Sequence, residues 1–452
     1  MKGGRETAYT MVFSVLSKVA TYFLLLIFAN LFLKEVYGRV AFVMSIFNLI
    51  LIFVLMGVPY ILVPWIINKK DSRSVFYFLM LISFVCVVLG IIFSWNHKWV
   101  MPLVFLFPFV LIRGFSMAFL NVKYKYHFVS FMELVYAFLS LVFIYSLRNF
   151  DKSGIVFGYT IALFLQSVIL FFLARKDILF LFKKITFNLI PIKNYISKAF
   201  LNSLSYVSFA FLDRVDSFIL GFLSTFENVA NYNVAGPIAN VIILIPFSLG
   251  MFLLTKSSEV KDNVNSRSLL SRILRISFSF SFLAAIGIIS LAKLIILVFF
   301  PKYVGIEPFI LILLIGVVFY SLYHLIYVYL LSKLRPEKAF FPIGIAALLN
   351  IILDILLVPK FGLYGICFAT MISHLVAFTI LSVKVRMIKR FSLVYLLVLF
   401  LPLAYKMGVY GLLLIILLIP LLIILKLLQK QDLVLISNIT KTLFKFNKVK
   451  EI

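Results

Sequence analysis

Apolar stretches long enough to cross a bilayer follow one another along this chain almost without pause, and short clusters of Lys and Arg are the main interruption. A helix of roughly 20 such residues, rising about 1.5 Å each, covers the hydrocarbon thickness of a membrane. Of 452 residues, 64% are hydrophobic and 13% are charged, which leaves too little polar surface to cover a water-soluble globule. The stretches are also too long and too uniformly apolar for the alternating strands of a membrane barrel. An all-α membrane protein of about 14 spans is therefore expected, with candidates near 10–33, 40–66, 75–94, 99–120, 128–147, 154–174, 196–223, 229–255, 269–298, 308–332, 340–358, 363–385, 391–407 and 409–427.

The charge is arranged by loop. With the N-terminus inside, 31 of the 43 Lys and Arg fall on cytoplasmic segments, 8 on outer ones and 4 within spans. That alternating bias follows the positive-inside rule and places both termini in the cytoplasm, with the protein multi-pass in the cytoplasmic membrane. The net charge of +27 is thus topogenic and attracts anionic phospholipid; it is not a nucleic-acid footprint. Lys2, Arg5 and Glu6 lead into a stretch longer than a signal-peptide core with no small-residue cleavage site behind it, so span 1 reads as retained. Cys86 and Cys367 fall inside spans and read as packing residues.

The longest loop in the body mixes basic and apolar residues and is expected to lie along the cytoplasmic interface. It divides the chain into an N-lobe (1–174, spans 1–6), a linker (175–194), a C-lobe (195–388, spans 7–12), spans 13–14 (389–427) and a basic tail (428–452). The halves echo each other faintly. Gly154-Ile155-Val156-Phe157 opens span 6 and Gly365-Ile366-Cys367-Phe368 opens span 12, while Tyr37 precedes span 2 much as Tyr232 begins span 8. Repeated halves imply a pseudo-twofold along the membrane normal with a site between lobes. No nucleotide-binding Gly-rich loop, His/Cys metal cluster or nucleophile motif is found, so no enzyme activity and no ATP-driven pumping is expected.

Charges inside a bilayer cost about 2.5–3.5 kcal/mol each, so those that persist face a cavity or a partner. On span 1, Ser14, Ser17, Lys18 and Thr21 share one helical face. Lys18 either lines a cavity or snorkels to the inner surface, roughly 13 Å away. Arg113 and Glu133 lie at similar depths on spans 4 and 5, as an ion pair or as a substrate contact. Lys293 is close to the outer end of span 9 and reads as a snorkelling lysine. His324 shares a face with Tyr320, Tyr323 and Tyr327, which either stacks on sugar rings or packs against neighbours. Lys18, Arg113, Arg214, Ser14, Thr21, Tyr323 and Tyr327 are the candidate substrate-cavity residues.

The acidic constellation is sharper. Asn350 and Asp354 are i and i+4 on span 11; Asn202, Tyr206, Asp213 and Asp216 follow one face of span 7 beside Arg214; Thr370, Ser373 and His374 share a face of span 12. Rise from the outer loops puts Asp216, Asn350 and Thr370 about 12–13 Å deep, with Asp354 shallower. Hard oxygen ligands at one depth suit a coupling Na⁺ or H⁺, with Asp213 as a secondary member; the alternative is a structural network neutralised by Arg214.

These residues resemble a family. Asn350 to Thr370, NIILDILLVPKFGLYGICFAT, is similar to the span 11–12 signature of polysaccharide-repeat flippases in the MOP (multidrug/oligosaccharidyl-lipid/polysaccharide) exporter superfamily. Val215 to Pro246 resembles their span 7–8 pattern, and Ala29 to Pro59 their first hairpin. The resemblance implies two six-helix lobes around a central cavity, plus two C-terminal helices, alternating between inward-open and outward-open states. It implies as cargo a polyprenyl- or dolichyl-diphosphate oligosaccharide, flipped to the outer leaflet for cell-surface polysaccharide synthesis, with glycan polymerase or ligase machinery as partners. It also implies sodium binding, as in some members, at Asp216, Asn350, Asp354 and Thr370. Peptidoglycan-precursor flippases, also similar, carry cavity arginines on spans 2 and 8, whereas residues 40–66 and 229–255 here contain no Lys or Arg. A cation-coupled exporter of small amphipathic drugs is the alternative on the same fold, and a non-transporting scaffold for glycan assembly is the alternative outside it.

Overall fold

The computed structural model describes residues 3–55, 58–67, 70–123, 125–182, 188–259, 263–333, 337–388 and 391–429, without some helical side chains, those of Ser14, Asn202, Tyr206, Asp213 and Arg214 among them. Every regular element among them is helical. In order these are α1 (Gly3–Leu31), α2 (Lys34–Leu55), α3 (Val58–Ile67), α4 (Ser72–Ser94), α5 (Met101–Val104), α6 (Phe107–Val122), α7 (Tyr126–Ser146), α8 (Asp151–Leu173), α9 (Arg175–Phe182) and α10 (Leu189–Leu223). They continue with α11 (Phe226–Asn240), α12 (Leu244–Glu259), α13 (Asn263–Phe299), α14 (Glu307–Ser332), α15 (Glu337–Phe361), α16 (Leu363–Lys384), α17 (Ser392–Leu397), α18 (Phe400–Met407) and α19 (Leu413–Ile424). Eleven helical stretches among the described residues are long and apolar enough to cross a membrane. The all-α membrane fold expected from the sequence is the fold observed.

Breaks inside spans fall at prolines. Pro246 has no N–H to offer the carbonyl of Ile242, and the chain tightens into a 3₁₀ turn over Val241–Ile243 between α11 and α12. Pro102 and Pro108 open α5 and α6, dividing span 4 in the same manner. Helices α10 and α13 have 35 and 37 residues, more than the roughly 20 that a bilayer needs, so both run on past it.

The chain forms two compact units, residues 1–230 and 231–452. In the first, α1 packs on α7, α7 on α8, and α6 on α8. Phe42 of α2 meets the rings of Phe218 and Phe222 at 6.3 and 5.1 Å, which holds the C-terminal end of α10. In the second, α16 packs on both α14 and α15, while α18 and α19 lie against α13.

One turn recurs three times, in each case at an end that the basic loops assign to the outer side. Asp151 (φ 47°, ψ −130°), Gly362 (φ 54°, ψ −126°) and Gly408 (φ 55°, ψ −134°) share one backbone conformation. Three residues after each stands a glycine, at 154, 365 and 411. A β-carbon on Gly154 would strike the carbonyl of Leu147; on Gly365 it would come within 2.6 Å of the Leu357 carbonyl, and on Gly411 within 2.7 Å of the Ala404 carbonyl. The absent side chain is what lets each helix lean directly on the backbone of the helix before it. The faint echo between Gly154 and Gly365 is thus a repeated hairpin closure, and a third copy joins α18 to α19.

Candidate functional site

Polar groups of the first unit are open on α1 and buried further in. On α1, Ser17, Thr21, Leu24, Phe28 and Phe32 follow one another at spacings of three and four, so they form a single stripe, and Lys18 lies beside Thr21 on it. Leu24, Phe28 and Phe32 are buried, whereas Lys18 and Thr21 are exposed. The opposite face carries exposed Leu16, Val19 and Phe23, which is a lipid-facing surface. Lys18 is exposed beside Thr21, at the edge of the stripe whose further turns are buried. The Thr21 hydroxyl turns back to donate to the Ser17 carbonyl at 2.8 Å.

Arg113 of α6 and Glu133 of α7 form an ion pair, Nη2 to Oε1 at 2.5 Å, with 19% and 38% of the two side chains exposed. Of the two readings left open by sequence, the pair is realised. The Nε–H of Arg113 is buried and donates to nothing among the described residues, so the guanidinium keeps capacity for a further acceptor. Deeper in α8, Gln166, which sequence reading missed, is fully buried and donates to the Met132 carbonyl at 2.9 Å. Asp216 is buried on α10 in this same unit. The side chains of Ser14, Asp213 and Arg214 lie outside the described residues.

Polar groups of the second unit are closed in. Asn350, Asp354, Ser373 and Tyr323 are fully buried, and Thr370 and His374 are nearly so. Asp354 and Thr370 are each eight residues from Gly362, and Asn350 and His374 each twelve, so the antiparallel pair α15–α16 sets them at two matched levels, about 12 and 18 Å below the turn. Sequence reading ended span 11 at residue 358 and matched Asn350 with Thr370; α15 continues through Pro359 to Phe361, which shifts the levels by one turn.

At the deeper level, neither polar atom of the Asn350 amide has a hydrogen-bond partner among the described residues, and the same holds for the Ser373 hydroxyl. Thr370 donates to the Ile366 carbonyl at 2.8 Å and lies 3.5 Å from the Tyr232 hydroxyl. The Tyr323 hydroxyl and His374 Nδ1 share a hydrogen bond at 3.1 Å, and Tyr320 stacks on the His374 ring at 5.1 Å. Tyr323 is thus packed within the unit, and Tyr327 is half-buried. His324 stacks on Phe247 at 3.9 Å, so this aromatic face is packed. Lys293 is exposed near the outer end of α13.

Among the described residues no three His, Cys, Asp or Glu side chains gather to hold a metal. An ion bound on the α15–α16 face would meet one carboxylate, one amide oxygen and hydroxyls, a hard and singly charged donor set suited to a monovalent cation. The unsatisfied Asn350 amide fits that use, since a buried amide without partners costs about 1–3 kcal/mol.

A family profile described as lipid II flippase MurJ matches residues 72–442. An uncharacterized membrane protein of Methanocaldococcus jannaschii is 26% identical over 245 residues, covering 52% of this chain and 48% of that protein. The chain thus spans about half the length of the curated relative it matches. Among solved structures, lipid II flippase MurJ in an inward closed conformation has a TM-score of 0.72 at 18% identity, with 93% of this chain and 100% of that one covered. An inward-facing multidrug resistance MATE family transporter of the MOP superfamily has a TM-score of 0.56 at 14% identity, with 86% and 95% covered.

Proposed function

The chain belongs to the lipid II flippase MurJ family, within the MOP superfamily, and from that premise we propose that it flips a lipid-linked oligosaccharide to the outer leaflet. The carrier would be a polyprenyl or dolichyl diphosphate, moved by alternating access with no covalent step, for cell-surface polysaccharide synthesis. The observation that supports this reading is Lys18, an exposed cation on α1 beside Thr21, at the edge of a helix stripe that buries Leu24, Phe28 and Phe32 further along. Arg113, with an unused donor, adds a second positive group on the same unit. A diphosphate accepts charge-assisted hydrogen bonds from both. Residues 40–66 and 229–255 contain no Lys or Arg, which favours a glycan other than a peptidoglycan precursor.

A coupling Na⁺ or H⁺ is part of the proposal. Asn350, Asp354 and Thr370 would hold it, and its charge would bias the equilibrium between conformations by binding one of them better. Asp216 belongs to the first unit and keeps its assigned role as an expectation from the family resemblance.

The test is a flipping assay in vesicles with a fluorescent polyprenyl-diphosphate glycan, alongside native mass spectrometry of protein mildly extracted from its host membrane. Lys18→Ala is expected to lower flipping at least about tenfold, the scale of one charge-assisted bond, while Lys18→Arg keeps most of it. Wild-type flipping by Lys18→Ala would remove Lys18 from the mechanism. A protein that carries no diphosphate lipid and confers resistance to lipophilic cations would be the drug exporter instead.

A further inference from the structure

Helix α9 opens the linker between the two six-span halves, and one face of it is fastened to the first unit. Ile178 and Leu181 are fully buried, Tyr77 donates to the Leu181 carbonyl at 3.1 Å, and Lys123 pairs with Asp177 at 2.6 Å. Phe182 meets Phe76 edge to face at 5.2 Å, and the Asn188 amide, just past the linker's undescribed residues, donates to Ser74 Oγ at 3.1 Å. The rest of its surface is exposed and largely apolar. Leu179, Phe180 and Phe182 are about half exposed, and Leu189 and Ile190, which begin α10, are 70% and 71% exposed. Phe172 and Leu173, at the end of α8 just before it in the chain, are exposed as well.

Arg73 stands over that surface. Its guanidinium carbon lies over the Phe180 ring, 3.7 Å from the centroid. No carboxylate pairs with it among the described residues, and its buried Nε–H has no acceptor. The neighbouring Asp71 is occupied as the N-cap of α4, accepting from the amides of Arg73 and Ser74 at 3.0 and 3.3 Å and from the Ser74 hydroxyl at 2.6 Å. Arg175 and Lys176 are exposed at the start of α9. A guanidinium backed by an aromatic face keeps its edge donors free for a planar pair of phosphate oxygens. Apolar side chains at the base of the same ring would enter the acyl region beneath a headgroup.

We infer that α9 and Arg73 form a docking surface for an anionic phospholipid of the cytoplasmic leaflet. The headgroup phosphate sits on Arg73 with Arg175 and Lys176 beside it, and the acyl chains lie against Leu179, Phe180 and Phe182. The surface is separate from the proposed cargo residues, and it stands whether or not the chain is a flippase.

The test is native mass spectrometry of the full-length detergent-solubilised protein, titrated with phosphatidylglycerol or with phosphatidylcholine of the same chains. Wild type is expected to bind phosphatidylglycerol about 5- to 10-fold more tightly, the effect of one to two basic groups at a lipid surface. Arg73→Gln should reduce that preference about fivefold while leaving phosphatidylcholine binding unchanged, Arg73→Lys should retain part of it, and Phe180→Ala should weaken both lipids. An unchanged preference in Arg73→Gln, with Arg73→Lys also at wild type, would overturn the assignment. So would undecaprenyl diphosphate displacing phosphatidylglycerol from wild type but not from Arg73→Gln, because the surface would then receive cargo rather than bulk lipid.

Discussion

Hairpins α7–α8 and α15–α16 close on the same outer turn and carry opposite interiors. Aligning Asp151 with Gly362 places Leu139 at the position of Asn350, Phe143 at Asp354, Ala162 at Ser373 and Leu163 at His374; Thr370 alone has a polar counterpart, Tyr159. The first hairpin works as a control contained in the same molecule. It keeps the strained turn residue, the bare glycine and the paired helices with apolar side chains at four of those five positions. The buried polar face of the second hairpin is therefore no requirement of the architecture. An Asn350 amide with no partner for either polar atom among the described residues costs stability, and that cost, set against an available apolar solution, is why the proposed cation is placed on this face.

The largest effect is expected where the hairpins are alike. Gly154→Ala and Gly365→Ala both push a β-carbon into the backbone of the preceding helix, and each should lower stability by about 3 kcal/mol or more in a denaturation series. A silent Gly154→Ala would break the equivalence of the two turns.

Asn350→Leu transplants the first hairpin's residue into the second. Stability should hold or rise by about 1–2 kcal/mol, because an unsatisfied amide is removed, while cation-dependent flipping falls at least about tenfold. Destabilisation with transport intact would make the amide structural and end the argument from comparison. Tyr323→Phe leaves His374 Nδ1 without its partner on the polar hairpin only, and should cost about 1 kcal/mol in thermal unfolding. The smallest expected effect separates the turns themselves. Asp151 holds a positive φ that the other two copies give to glycine, so Asp151→Gly should stabilise by about 0.5–1 kcal/mol.

The spans and their order were legible because bilayer thickness and loop charge act on composition alone, and the Lys18 stripe was legible as periodicity. Whether Lys18 faced lipid or interior was not, since that depends on which neighbours bury Leu24, Phe28 and Phe32. The Asn350–Asp354 face followed from i, i+4 spacing, yet its level was placed one turn off, because Pro359 looks like a stop and α15 runs through it. Depth alone could not show that Arg113 meets Glu133; the 2.5 Å contact between them comes from the packing of α6 on α7. The third turn went unseen. Gly408-Val409-Tyr410-Gly411 matches Gly362-Leu363-Tyr364-Gly365 at three of four positions, and the feature that unites them is a backbone angle.

Those glycine seats also fix what can slide. A helix resting on its neighbour's carbonyl through a missing side chain has no smooth track along which to shift, because the next residue up or down would bring a β-carbon into the same gap. Each hairpin is thereby geared at its turn, which locks the levels of Asp354 with Thr370 and of Asn350 with His374 to one another. In the proposed cycle, access to that face would be timed by something that moves past the hairpin as a whole, like a shutter over a fixed aperture.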